Sequence, residues 1–128
     1  MNQEVNVMML EPQSGPAPAL LLVGYELAQL IFQVDRPERL AQWLAVLFQY
    51  RGDPDLAAES KSLVVGHYGA QEVRFAIDGD FLLLFTALED NPSKIVPAFN
   101  LYIPRDCLDD LADGLAHEHR QWVEHPAP

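Results

Sequence analysis

At 128 residues the chain has the length of one domain whose core needs neither disulfides nor metal. Apolar residues make up 49% and charged residues 21%, the balance of a folded globular chain rather than a disordered one. With 19 Asp and Glu against 8 Lys and Arg, the net charge of -11 repels phosphate backbones and anionic lipid, which argues against nucleic acid and membrane as partners and favours cationic ones.

Val5 to Leu10 is the first strand-like stretch, and Pro12 to Pro18, with three prolines and a glycine, is a loop. Ala19 to Val34 is apolar, and Leu30, Phe32 and Val34 alternate against Gln29 and Gln33. This pattern predicts two strands joined at Gly24, with one long strand as the alternative. A helix is expected from Asp35 as N-cap, with Pro37 in its first turn and Glu38 at the positive end of its dipole. Leu40, Trp43, Leu44, Leu47 and Phe48 give it one apolar stripe, and Gly52 closes it before a polar connection from Asp53 to Ser60.

A strand meander follows through Leu63, Val65 and His67, then Val73, Phe75 and Ile77, with Asp78-Gly79 marking a tight hairpin. Phe81 to Phe85 is apolar at every position. A strand of this kind is covered on both faces by helix, loop or a second subunit, which brings a homodimer into consideration. Glu89 to Lys94 is expected to be a loop before a last strand in which Phe99, Leu101 and Ile103 share one face. The final helix is predicted from Asp106, its N-cap, to about Val123. It buries Leu108, Leu111, Ala112, Leu115 and Trp122, and it leaves a frayed tail from His125. The fold class is thus α+β, an antiparallel sheet of six to seven strands with two amphipathic helices in a single domain.

Few residues offer chemistry. Cys107 is the single cysteine, so no internal disulfide forms and an oxidising compartment is not implied; it sits among Asp106, Asp109 and Asp110, which oppose a thiolate. His117 and His119 are two residues apart on a helix and point in different directions, unlike zinc ligands at i, i+3 or i+4. Asp78-Gly79-Asp80 with Glu89 has the outer spacing of a calcium loop, but leucines stand where a ligand and the turn glycine belong. Nucleophile-elbow, phosphate-loop and dinucleotide glycine patterns are missing, so neither catalysis nor a cofactor or metal is expected. Met1 to Leu10 carries Glu4 and no basic region before an apolar stretch, so a secretory signal is not expected; the run Ala19 to Val23 is too short to span a bilayer, and the expected location is the cytoplasm.

The two strand-to-helix passages, Leu30–Phe32–Val34 into Leu40–Trp43–Leu44–Leu47 and Phe99–Leu101–Ile103 into Leu108–Leu111–Ala112–Leu115, repeat one pattern. Strands then helix, twice over, resembles in element order the Whirly-like single-stranded DNA-binding folds, although the basic surface of such binders is missing. The remaining feature is the acidic side of the last helix, Asp106, Asp109, Asp110 and Asp113, with Glu89 and Asp90 in the loop before the last strand as further candidates for reading a partner's cations. Size, charge and lack of reactive groups resemble the small acidic immunity proteins of bacterial toxin systems. That resemblance implies binding to a basic protein partner such as a nuclease toxin domain, and it transfers no residue. The alternatives are a homo-oligomeric structural or small-ligand-binding domain, and a small enzyme of a type the motifs do not reveal.

Overall fold

Six segments of six to eight residues and a last one of fourteen build the sheet, and each strand pairs antiparallel with the one before it. The structure is a computed structural model that describes residues 5–11, 19–52, 62–88 and 91–124. Strands β1 (Val5–Glu11), β2 (Ala19–Tyr25) and β3 (Ala28–Val34) precede helix α1 (Glu38–Gly52). Strands β4 (Leu63–Tyr68), β5 (Gln71–Asp78), β6 (Phe81–Leu88) and β7 (Asn91–Pro104) precede helix α2 (Leu108–Glu124), which a single 3-10 turn (Arg105–Cys107) introduces. The sheet is open, seven-stranded and ordered β1 to β7 as in the chain, so the expected α+β class is what the chain adopts. The Pro-rich loop 12–18, the connection 53–60, Glu89 and Asp90, and the tail from His125 lie outside the described residues.

Among the described residues, three hairpin turns are two residues long: Tyr25 pairs with Ala28, Tyr68 with Gln71 and Asp78 with Phe81. In each, the first turn residue takes a positive φ, at Glu26 (56°), Gly69 (60°) and Gly79 (59°). Glycine tolerates that conformation because it has no Cβ, which explains two of the three. The Asp78-Gly79 hairpin forms as expected. The β2–β3 turn falls at Glu26-Leu27 rather than at Gly24, which stays inside β2 opposite Gln29.

Three other expectations change. Asp35 does not cap α1: its carboxylate accepts from the Arg39 side chain at 3.0 Å, and the helix opens on bonds from Arg39 and Leu40 to the carbonyls of Arg36 and Pro37. Asp106 is not an N-cap either. It lies inside the 3-10 turn, and the helical run is anchored one residue earlier by Arg105 N–H donating to the Asp80 carbonyl at 2.8 Å. The predicted loop Glu89 to Lys94 is shorter than expected, because β7 already begins at Asn91 and follows β6 through two bulges. As the last strand of the sheet, β7 tolerates Pro92 and Pro97.

Both helices cover the same face of the sheet. Leu40, Trp43, Leu44, Leu47 and Tyr50 of α1 and Leu108, Leu111, Ala112 and Leu115 of α2 form one core with Leu21, Val23, Phe32, Phe75, Leu84 and Ile103. The helices are exchanged between the two strand groups: α2 packs on β1 and α1 on β4, and they touch each other between. Gly114 makes the α2–β1 approach possible, since a Cβ there would sit 2.8 Å from Val7. On the far face, Leu83, Phe85 and Ala87 of β6 form a second, smaller cluster with Ala76, buried within the single chain. The doubly apolar strand therefore needs no second subunit to cover it.

Candidate functional site

Asp106 of the 3-10 turn and Asp109, Asp110 and Asp113 of α2 are all exposed, and among the described residues only Asp109 makes an ion pair. Asp109 faces α1, where it pairs with Arg51, whose guanidinium also lies 5.1 Å over the Phe48 ring. Beside this pair is a shallow cleft of about 290 Å³ lined by Tyr50, Arg51, Arg105, Asp106, Leu108 and Asp109. Arg105 stacks 4.8 Å over Tyr50 and donates to the Gly79 carbonyl at 3.4 Å. Two arginines and two aspartates share the cleft, so its charge is balanced.

Asp106, Asp110 and Asp113 fall on the outward line of the helix at i, i+4 and i+7, and among the described residues none of them makes an ion pair. At this spacing like charges repel, at a cost of a few tenths of a kcal/mol for each pair. The positive end of the helix dipole offsets part of that for Asp106 and Asp110, and much less for Asp113 beyond the first turn.

The structure adds a carboxylate that sequence reasoning missed. Cys107 is buried, and burial pushes its thiol above the ordinary range; the charges of Asp110, Asp106 and Glu26 push it further. Glu26 is on the β2–β3 turn, far away in sequence, and its charge acts on the thiol in the same direction as those of Asp110 and Asp106. Tyr25 reports the same neighbourhood, its phenol raised by burial, then by the charge of Glu26, by Cys107 and by a hydrogen bond with Glu26. Next to Glu26, Leu27 is the most exposed large apolar residue described, at 103% of its reference area.

Glu26 occupies a position where the other two described turns carry glycine, and a side chain there costs about 1 kcal/mol or more. The available signal was the break in alternation between two strands of equal length, which Gly24 obscured. Glu89 and Asp90 lie outside the described residues. Among the described residues no three His, Cys, Asp or Glu side chains are grouped to hold a metal ion, and no helix is long and apolar enough to cross a membrane. No protein-family model matches the chain, and no curated protein or solved structure does.

Proposed function

We propose that this chain is a protein-binding inhibitor that covers the basic surface of a protein partner, in the manner of the small acidic immunity proteins it resembles in size and charge. One observation supports the reading: Asp106, Asp110 and Asp113 lie exposed at the start of α2 and, among the described residues, make no ion pair. Such a field raises the encounter rate with a cationic surface and rejects anionic ones. The matching partner is one that presents lysines and arginines to this surface. A nuclease toxin domain has that chemistry at its phosphate-binding cleft. Inhibition is by occlusion, and it requires no reactive group on this chain.

The test begins with recovery of partners from the native cell at low salt, followed by association kinetics with the purified partner. The reading expects a basic partner whose association rate falls steeply between 50 and 500 mM salt, about tenfold or more. The triple variant Asp106→Asn, Asp110→Asn, Asp113→Asn should lose most of that salt dependence. An unchanged rate in the triple variant places the contact elsewhere.

A further inference from the structure

The cleft between the end of α1 and the start of α2 brings together two charges that the chain leaves unmatched. Among the described residues Arg36, Arg39, Arg51 and Arg74 each meet a carboxylate, whereas Arg105 and the exposed Arg120 meet none. Asp106 follows Arg105 directly, lines the same cleft and has no ion pair either, so the two do not close on each other. The second arginine of the cleft, Arg51, is already occupied by Asp109. Arg105 is also held in place. Its backbone N–H donates to the Asp80 carbonyl at 2.8 Å, and its guanidinium stacks over the buried Tyr50 ring and donates to the Gly79 carbonyl. One N–H of the guanidinium is used there, and the others remain for a ligand.

We infer that this cleft binds a free α-amino acid, with the ligand's carboxylate on Arg105 and its ammonium on Asp106. The charge balance selects that class. On a molecule of net charge -11 a plain anion is repelled, and a plain cation meets two guanidiniums in the cleft. A zwitterion brings no net charge into that field and satisfies both unmatched groups at once. Its carboxylate suits the planar fork of a guanidinium, and its ammonium donates to a carboxylate in the same charge-assisted way. The site needs no macromolecular partner, although Asp106 also belongs to the face proposed to meet one.

Size agrees with a ligand of this class. The cleft is about 290 Å³, at the small end of the roughly 300–1,000 Å³ of ligand pockets, so it admits a molecule of a few heavy atoms. Leu108 lines it beside the charged groups and offers contact to a short aliphatic side chain. Both new ion pairs face water, where each contributes little, so Kd is on the order of 1 mM. The prior fixing of Arg105 supports even that affinity, because the side chain loses little freedom on binding.

An NMR titration of the full chain with L-alanine to about 50 mM, read at the backbone amides of the cleft residues and at the Arg105 side-chain Nε–H, tests this. These signals should shift saturably. Acetate and methylammonium, each carrying one of the two charges, should bind at least about tenfold more weakly than alanine. Arg105→Gln should weaken alanine and acetate alike. Asp106→Asn, at an exposed position, separates the two kinds of ligand: alanine should bind at least about tenfold more weakly, while acetate, relieved of a repelling carboxylate, should bind more tightly. Asp113→Asn, on the proposed partner-binding line but outside the cleft, should leave alanine binding unchanged, so this site and that face can fail separately. No saturable shift by about 50 mM alanine overturns the inference. Acetate binding as tightly as alanine does so too, as does an Asp106→Asn variant that keeps the parent's affinity for alanine.

Discussion

Helices α1 and α2 bury the same kind of face and expose very different ones. α1 seats Leu40, Trp43, Leu44, Leu47 and Tyr50 in the core, and α2 seats Leu108, Leu111, Ala112 and Leu115. Outside, α1 carries one glutamate against two arginines, a net +1, while α2 carries five acids against one arginine, a net -4. The buried faces are alike because both must fill the same space against one sheet. The exposed faces are under no such constraint, and a line of aspartates that repel one another past the first turn does nothing for packing. The partner-binding role we propose for α2 rests on that difference.

If the inner faces are equivalent, their disruption should be too. Leu47→Ala in α1 and Leu111→Ala in α2, both with fully buried side chains, should each cost about 2–5 kcal/mol in urea unfolding. A small loss in one helix alone would mean that it is not seated as described. Gly114→Ala sharpens the contrast, since helix propensity alone would stabilise by about 1 kcal/mol. The methyl would meet Val7, however, and overpacking of this kind costs about 1–3 kcal/mol, so a net destabilisation is expected. A more stable variant would show that α2 stands off from β1.

Glu26→Gly should stabilise the fold by about 1 kcal/mol, because glycine accepts the positive φ without strain, while partner association slows. Loss of the Glu26 charge should also lower the Cys107 thiol pKa, read from the pH dependence of thiol modification in mild denaturant. Asp110→Asn should do the same. Because the folded thiol titrates above its unfolded value, its contribution to stability is complete below about pH 8.5 and is lost as pH rises through the folded pKa. Unfolding midpoints should thus fall on the alkaline side, and less so in Asp110→Asn. The smallest effect belongs to the exposed Arg51–Asp109 pair: a double-mutant cycle should give about 1 kcal/mol of coupling or less.

Much of this architecture was legible residue by residue. The spacing of Leu40 to Leu47 and of Leu108 to Leu115 located both helices, and Asp78-Gly79 located a hairpin. The β2–β3 turn was not legible at its true place, because it puts glutamate where the geometry favours glycine while a real glycine sits two residues earlier in a strand. The start of β7 was hidden by Pro92, which an edge strand tolerates. For the candidate site, the aspartates were visible as a helix face, but their division was not. Asp109 turns to Arg51 on the other helix, and Glu26, on a turn distant in the chain, adds its charge to those of Asp106 and Asp110 at the Cys107 thiol, which no local pattern encodes.

The most direct test holds net charge constant and moves only its location. Asp110→Asn with Asp113→Asn can be compared with Glu38→Gln and Asp80→Asn, a pair of exposed acids on α1 and the β5–β6 turn. Stopped-flow association with the basic partner at low salt should slow about tenfold in the α2 pair and less than twofold in the control. Equal slowing in both would show that total charge, and not the surface of α2, governs binding.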